Sequence, residues 1–240
     1  NSSAASDVYK RQMLAIDVST SMLAEDLKPN RLEAAKDVAA EFINGRPNDN
    51  IGITLFAGET FTQCPLTVDH AVLLDMIHNI KCGLITDGTA VGMGIANAVT
   101  RLKDSKAKSK VIILLTDGTN NKGDISPMTA AEIAKSFGIR VYTIGVGTNG
   151  MAPYPYPVGN TVQYVSMPVE IDEKTLTEIA GTTDGNYFRA TSNSKLKEVY
   201  EEIDKLEKTK LNVKEYSKRD EEYHWFALAC LLYTSPSPRD

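Results

Sequence analysis

The chain has 240 residues, of which 42% are hydrophobic and 24% charged. These ordinary globular values exclude a disordered or low-complexity protein. The net charge is -5, from 26 Lys and Arg against 31 Asp and Glu, so the basic surplus typical of nucleic-acid-binding proteins is missing. The apolar run 225–232 is much shorter than the ~20 residues that cross a membrane. We therefore expect one large globular domain with no nucleic-acid partner.

The two ends of the chain differ in character from the middle. Residues 1–12 are small and polar and lack the apolar centre of a signal peptide, and residues 233–240 are short, polar and proline-containing. We expect both segments to be non-native or disordered. A linker is predicted over 209–224. The stub 225–232 is interpreted as the truncated start of a transmembrane helix, because its entry resembles a membrane interface, or alternatively as a short helix packed on the domain.

Strand and helix patterns alternate between these ends. Strands are recognised from short apolar runs, and helices from apolar residues spaced three and four apart. In chain order, the predicted elements are a strand at 13–18, a helix at 31–43, strands at 51–57 and 61–66, helices at 68–80 and 90–102, a strand at 111–116, a helix at 127–137, a strand at 140–146, a helix at 172–180, a strand at 186–189 and a helix at 194–205.

This order predicts an α/β fold: a doubly wound, mostly parallel, Rossmann-like sheet with helices on both faces, over residues 13–208. The uninterrupted apolar run 111–116 is typical of a central parallel strand that is covered on both faces. The turn at Gly58 predicts one antiparallel edge strand. Residues 147–168 form an insertion whose prolines exclude a core helix, and a strand is predicted at 161–165.

Oxygen-bearing side chains follow the ends of two predicted strands. Asp17, Ser19 and Ser21 alternate after the first strand, Asp117 ends the central one, and Thr89 begins a helix. Doubly wound sheets bind ligands at the carboxyl ends of their strands. Carboxylates and hydroxyls suit a hard cation such as Mg²⁺, with Mn²⁺ or Ca²⁺ as alternatives. Each motif alone has a simpler explanation, since a serine there can cap a helix and an aspartate can form a turn.

Three segments together resemble the metal-ion-dependent adhesion site of von Willebrand factor A (VWA) domains. They are Asp-Val-Ser-Thr-Ser at 17–21, Asp-Gly-Thr at 87–89 and Thr-Asp-Gly at 116–118. The wider sequence around them, including Arg-Leu-Glu-Ala-Ala-Lys at 31–36, is similar to bacterial membrane-anchored proteins of the aerotolerance group, the BatA-like proteins. Thr119 departs from the pattern, because related sequences often carry an acidic residue there.

The resemblance implies a ligand set and a function. Ser19, Ser21 and Thr89 would bind the cation through their hydroxyls, and Asp17 and Asp117 directly or through water. The cation would then attract a carboxylate from a partner protein, which makes the domain a metal-dependent protein-binding module. The resemblance also implies a MoxR-type ATPase and other VWA proteins as associates. It implies a bacterial cell-membrane location through flanking helices, with the periplasmic side favoured.

Two other functions use the same residues. A Mg²⁺-dependent phosphoryl-transfer enzyme could use Asp17 as its nucleophile. The sequence has no Walker lysine motif, however, and places no histidine or lysine beside Asp17 as an acid or base, so we do not expect an enzyme. In the second alternative the metal ion only stabilises the domain, as any ligand of the folded form does.

Several nearby residues have open roles. Thr-Asp-Gly-Thr occurs at both 86–89 and 116–119, and we assign Asp117 to the metal and Asp87 to a backbone turn. Glu25 and Asp26 either border the site or belong to a solvated loop. Exposed aromatic residues anchor interfaces, so Tyr154 and Tyr156 either form a specificity surface or pack the insertion onto the domain.

Overall fold

A computed structural model describes residues 10–117, 120–148, 150–158, 161–169 and 171–219. The predictions for residues 1–9, for Thr119 and for 220–240, including the stub 225–232 and the tail 233–240, lie outside the described residues. Residues 1–203 form one compact unit and residues 204–240 a second one. The fold and the candidate site belong to the first unit.

Within the described residues, eight strands form two separate sheets. The main sheet has six strands in the order β3-β2-β1-β4-β5-β8, and β6 pairs only with β7. All neighbours in the main sheet are parallel except β2 and β3. The predicted fold class, with its single antiparallel edge strand, is confirmed. The strands are β1 Lys10–Asp17, β2 Asn50–Phe56, β3 Thr60–Thr67, β4 Ser109–Thr116, β5 Arg140–Val146, β6 Gly150–Val158, β7 Thr161–Val169 and β8 Tyr187–Ala190.

The described part of the chain also contains six α-helices and one short 3₁₀ helix, of which α6 follows the last strand. Polar residues cap several helices: the Asn30 side chain accepts a hydrogen bond from the Glu33 N–H, and Asp69, Ser126 and Asp172 cap later helices in the same way. These caps fix where each helix begins. The helices are α1 Arg31–Asn44, α2 His70–His78, α3 Val91–Leu102, α4 Pro127–Ser136, α5 Glu173–Thr182 and α6 Asn193–Arg219, and the 3₁₀ helix is Thr20–Leu23.

Helices cover both faces of the main sheet. One face of β1 and β4 packs in a buried cluster with α3, α4 and α5. On the other face α1 packs beside α2, and Phe42 of α1 lies 4.8 Å from the Tyr200 ring of α6, measured between ring centroids. Because side chains on both faces of β1 and β4 are buried, these two strands form the rigid centre of the domain. The polar residues that follow them are therefore held in fixed positions.

The insertion forms the two-stranded β6–β7 hairpin, from Gly150 to Val169. A strand was predicted only at 161–165, so the hairpin is longer than expected and has a second strand. Prolines occupy alternate positions of β6, at 153, 155 and 157. The Pro153 carbonyl accepts a hydrogen bond from outside the hairpin, so these alternate residues turn their backbone groups away from β7. Proline is tolerated there because no ladder donor is lost.

Two boundaries differ from the sequence predictions. Strand β1 begins at Lys10, so residues 10–12, predicted as part of a disordered end, belong to the sheet. Helix α6 continues to Arg219 and includes residues 209–219, which were predicted as linker. The charged sequence of this extension gave no apolar pattern from which to predict a helix. Within the part of the chain that the structure describes, no helix combines the length and apolar character needed to span a bilayer.

Candidate metal centre

Three loops meet at the carboxyl edge of the sheet. The first follows β1 and contains Ser19 and Ser21, the second precedes α3 and contains Thr89, and the third begins at Asp117 after β4. Asp17 is the last residue of β1, which is the direct neighbour of β4. The topology therefore brings the predicted ligands to one edge from positions up to 100 residues apart in sequence.

The Ser19, Ser21 and Asp117 side chains form a continuous row of oxygen atoms. Ser19 Oγ lies 2.9 Å from Ser21 Oγ, and Ser21 Oγ donates a hydrogen bond of 2.8 Å to Asp117 Oδ1. Adjacent ligands of an octahedral Mg²⁺ ion are separated by about 3 Å, because each lies about 2.1 Å from the ion along perpendicular axes. The spacing of these oxygens therefore fits a magnesium site.

Asp17 is fully buried beneath this row. Its Oδ1 accepts the Ser19 N–H at 2.9 Å, and its Oδ2 accepts the Thr116 hydroxyl at 2.6 Å. Burial, reinforced by the nearby Asp117 carboxylate, raises the pKa of Asp17 to about 7. In the absence of a cation the site therefore disfavours two adjacent negative charges, which a divalent cation would neutralise.

Arg31 holds the second carboxylate. Its Nη1 donates a hydrogen bond of 2.7 Å to Asp117 Oδ2, while its Nε and Nη2 bind both oxygens of Asp26 at 2.7 and 2.6 Å. Burial raises the pKa of Asp117 above its ordinary value, and the Arg31 guanidinium opposes that shift. The Arg31 side chain is itself 1% exposed, so this ion-pair network is shielded from water. It fixes the orientation of Asp117 with Oδ1 toward Ser21.

Asp26 extends this network to the start of the hairpin. The Thr148 N–H donates to Asp26 Oδ2 at 2.7 Å. Burial alone would raise the pKa of Asp26, but the Arg31 and Thr148 donors hold it below its ordinary value. Gly147 is required here: its φ is +123°, and a Cβ atom would lie 2.5 Å from the Arg31 guanidinium. Asp26 is thus a buried ion-pair partner, which differs from both roles considered for it.

Hydrogen bonds hold the loop that carries Thr89 to two neighbouring segments. The Asp87 carboxylate accepts hydrogen bonds from the Thr20 N–H at 3.1 Å and the Thr20 hydroxyl at 2.9 Å, which lower its pKa. The Thr89 N–H donates to Asn121 Oδ1 at 2.9 Å. Thr89 is buried and lies two residues from Asp87, so these bonds hold it beside the loop of Ser19 and Ser21. Asp87 joins two loops, in addition to the predicted turn.

Cys82 lies next to the first loop of the candidate metal centre. Its Sγ is 3.4 Å from the Ser19 carbonyl oxygen. Burial, followed by the charges of Asp17, Asp117 and Asp87, raises the pKa of this thiol to about 12. The thiol is therefore protonated at neutral pH and is a poor metal ligand in this state. Among the described residues, no three His, Cys, Asp or Glu side chains are arranged to hold a metal ion, so this donor set depends on hydroxyls.

Sequence reasoning missed three residues that support the site. Thr116 was identified only as part of a motif, although its hydroxyl orients Asp17. Asn121 and Arg31 were not assigned roles. Arg31 carried the clearest signal, because it begins a helix and is a charged residue within an otherwise mostly apolar buried face. A fully buried arginine requires acidic partners, and these could have been sought among the aspartates at the strand ends.

Comparisons with known proteins identify the family of the domain. The model of the von Willebrand factor type A domain matches residues 13–202. An aerotolerance-related membrane protein from Bacteroides fragilis is 34% identical, with a TM-score of 0.70 over 81% of this chain and 98% of that one. The conserved hypothetical protein BatB from Bacteroides thetaiotaomicron is also 34% identical, with a TM-score of 0.72 over 82% and 98% of the two chains.

A UPF0353 protein of Nocardia farcinica is 32% identical over 210 residues, which cover 80% of this chain and 61% of that protein. The chain spans about three fifths of the length of the curated relatives that it matches. The resemblance to the aerotolerance group is confirmed by the two Bacteroides structures. Because the family model covers most of the chain, from β1 to α6, the protein belongs to the von Willebrand factor type A domain family.

Proposed function

We propose that this domain is a metal-dependent protein-binding module. Asp17, Ser19, Ser21, Thr89 and Asp117 would hold a divalent cation, and the cation would bridge to a carboxylate of a partner protein. The observation that carries the proposal is the row of oxygens from Ser19 to Asp117, whose 2.9 and 2.8 Å spacings match adjacent ligands of an octahedral ion.

The charges around the site favour an acidic ligand. Asp117 is already paired with Arg31, and both Asp17 oxygens already accept hydrogen bonds. The side chains in front of these carboxylates are neutral hydroxyls. A divalent cation in contact with the hydroxyls would retain part of its positive charge toward solvent. Carboxylate oxygen from another protein is a hard ligand suited to that position.

Catalysis by Asp17 fits the same geometry poorly. A carboxylate nucleophile needs an exposed oxygen that can reach a substrate phosphorus. Asp17 is 0% exposed, and its oxygens are occupied by the Ser19 N–H and the Thr116 hydroxyl. We therefore propose binding over phosphoryl transfer.

The relatives support membrane association, and the partner and the side of the membrane are part of the proposal. The Bacteroides fragilis relative is named as an aerotolerance-related membrane protein. We propose that this domain belongs to a membrane-anchored bacterial protein of the same group, with the domain on the periplasmic side. By the family resemblance, a MoxR-type ATPase and other VWA proteins are the first candidates for the partner that supplies the acidic residue.

The test uses Asp17→Asn, which keeps the size of the side chain but removes its charge. Because burial already disfavours the charged form, the amide should leave the fold intact. Calorimetry should detect binding of Mg²⁺, Mn²⁺ or Ca²⁺ to the wild-type chain and not to the variant. An array of synthetic peptides, each with one Asp or Glu, should be bound by the wild type in Mg²⁺ and released by chelator. Asp75→Asn, an exposed carboxylate change on α2, is the matched control and should behave as wild type.

Three results would contradict the proposal. Equal peptide binding by Asp17→Asn and wild type would exclude the metal bridge. If the metal ion binds and stabilises the chain but no peptide binds, with or without chelator, a purely structural ion would be favoured. Hydrolysis of a phosphate ester that is lost in Asp17→Asn and retained in Asp75→Asn would favour the enzyme.

A further inference from the structure

The β6–β7 hairpin is an uncharged apolar projection on a charged protein. Residues 147–169 contain no Asp, Glu, Lys or Arg, whereas these types make up 24% of the chain. Five of the eleven exposed large hydrophobic side chains in the described part of the molecule belong to this hairpin. They are Met151, Tyr156, Tyr164, Val165 and Met167. The register places Tyr156, Val165 and Met167 on one face and the other two on the opposite face. Exposed apolar residues that share a face mark interaction surfaces.

Hydrogen bonds join the hairpin directly to the loop of the candidate metal centre. The Ser21 carbonyl accepts the Ala24 N–H at 3.0 Å, and the next N–H, of Glu25, donates to the Pro153 carbonyl at 2.9 Å. The Tyr164 hydroxyl is hydrogen-bonded to the Glu25 carboxylate, which raises the pKa of Tyr164. Glu25 therefore lies four residues after the proposed ligand Ser21 and is hydrogen-bonded to both strands of the hairpin.

The ion-pair network around Arg31 makes a second connection between the candidate metal centre and the hairpin. Asp117, Arg31, Asp26 and Thr148 are linked by consecutive hydrogen bonds of 2.7 Å or less. Thr148 precedes β6 by two residues. Because the connecting side chains are mostly buried, the base of the hairpin and the Asp117 carboxylate are held in a fixed relation.

The hairpin is suited to contact through side chains and unsuited to strand addition on its outer β6 edge. The backbone groups of Pro153, Pro155 and Pro157 lie on this outer edge, and proline has no N–H donor. Another strand therefore cannot form a regular ladder of hydrogen bonds there. The register pairs Tyr154 with Val165 and Ala152 with Met167, which places these four residues on one face. That face is buried at Ala152 and becomes exposed toward Tyr156.

We propose that Tyr156, Val165 and Met167, the exposed apolar side chains on one face of the hairpin, form the specificity surface for the same partner whose carboxylate binds the metal centre. This inference rests on the proposed function. The occupant is a protein segment in which an acidic residue is flanked by apolar residues. Hydrogen bonds of Glu25 and Asp26 join the hairpin to the metal-centre loop, and the hairpin itself carries no charge. The metal centre provides charge recognition, and Tyr, Val and Met side chains provide apolar contact.

The experiment uses two sets of synthetic peptides in Mg²⁺. Both carry one central Asp or Glu, flanked either by Val, Ile and Tyr or by Ser and Gly. The wild-type chain should bind the apolar-flanked set about tenfold more tightly, as expected when a few interface side chains are buried. The double variant Val165→Ser/Met167→Ser should lose this preference and retain its Mg²⁺-dependent binding of the Ser-flanked set. Both substituted residues are exposed, so the fold should persist.

Phe137→Ser is the matched control. Phe137 is 41% exposed, close to the 44% of Met167. It precedes β5 and so lies at the amino end of that strand, whereas the candidate metal centre lies at the carboxyl ends of the strands. It should leave the preference for apolar flanks unchanged. Circular dichroism and the response to Mg²⁺ should be the same in all three proteins.

The outcomes separate this inference from the function on which it rests. Chelator-sensitive binding with no preference for apolar flanks, or a preference that persists in the hairpin variant, would overturn the inference alone. No chelator-sensitive binding to either set would overturn the proposed function as well. Metal-independent dimerisation that the hairpin variant abolishes, measured by sedimentation, would assign the surface to a second copy of the chain and would also overturn the inference.

Discussion

The tetrapeptide Thr-Asp-Gly-Thr occurs twice in this chain, at 86–89 and at 116–119, and the two aspartates have different environments. Asp117 follows the central strand β4, is 2% exposed and is paired with Arg31. Asp87 lies on an exposed loop, and its carboxylate binds the N–H and hydroxyl of Thr20. The chemical groups are identical, so the difference comes from the fold. Burial and the Arg31 partner hold Asp117 in one orientation, as the proposed metal centre requires, whereas Asp87 connects two loops.

The largest predicted difference between the two aspartates is in stability. Asp117→Asn removes the charge that faces buried Arg31, and loss of one member of such a pair costs about 3 kcal/mol or more. Asp87→Asn removes part of a solvent-exposed hydrogen-bond set and should cost about 1 kcal/mol. Urea denaturation measures both free energies of unfolding. Asp117→Asn should also abolish the Mg²⁺ response, which Asp87→Asn should retain. Equal effects in the two variants would show that the environments do not differ energetically.

Arg31→Lys tests whether geometry, in addition to charge, distinguishes Asp117. Lysine retains the positive charge but cannot bind Asp26 with two nitrogens while donating a third hydrogen bond to Asp117. Loss of buried hydrogen bonds to charged groups should lower the free energy of unfolding by about 2 kcal/mol. Mg²⁺ affinity, measured by calorimetry, should fall as well. The control Arg101→Lys, on the exposed side of α3, should change stability by less than about 0.5 kcal/mol. Unchanged metal affinity in Arg31→Lys would exclude a positioning role.

The pH dependence of the metal response tests the environment that Asp17 shares with Asp117. In the metal-free protein the pKa of Asp17 is about 7, while an unfolded aspartate titrates near about 3.9. Between these values the folded state binds more protons, so the free energy of unfolding falls as pH rises, by up to about 1.4 kcal/mol per pH unit. A bound cation replaces the proton. The increase in Tm caused by Mg²⁺ should therefore grow from pH 5.5 to pH 8.

Two measurements check this pH prediction. Thermal melts in chelator should show the decline of Tm with rising pH, and melts in saturating Mg²⁺ should show a smaller decline or none. Asp17→Asn should reduce the decline in chelator, since the amide does not titrate and only the Asp117 carboxylate keeps a raised pKa at the site. A Mg²⁺ effect that is equal at pH 5.5 and pH 8 would show that proton and cation do not compete at Asp17.

The comparison of Asp117 with Asp87 also shows how much of the structure the sequence could predict. The alternating apolar patterns predicted the order of elements, and the turn at Gly58 predicted the edge strand. The continuous apolar run of β4 identified the central strand and led to the choice of Asp117 over Asp87. The Arg31 network could not be found in this way, because Asp26 and Asp117 are 91 residues apart and no local pattern records their shared partner. Strand β6 was missed for a related reason. Its alternate prolines exclude a helix, but the outward orientation of their backbone groups, where the Pro153 carbonyl accepts the Glu25 N–H, is visible only in the structure.

The carboxylates of Asp117 and Asp87 both act on the thiol of Cys82. The smallest predicted difference between the two aspartates is in the reactivity of this thiol. Burial first, then the carboxylates of Asp17, Asp117 and Asp87 in decreasing order, raise the pKa of its thiol. Alkylation of Cys82 at pH 8 should be at least about a hundredfold slower than that of an ordinary cysteine. Mass spectrometry of the labelled peptide measures this rate separately from the other cysteines. Asp117→Asn should accelerate the reaction more than Asp87→Asn, and Mg²⁺ should accelerate it in the wild type by offsetting the carboxylate charges. If Asp87→Asn had the larger effect, the exposed aspartate would dominate the local potential, and the distinction between the two tetrapeptides would fail.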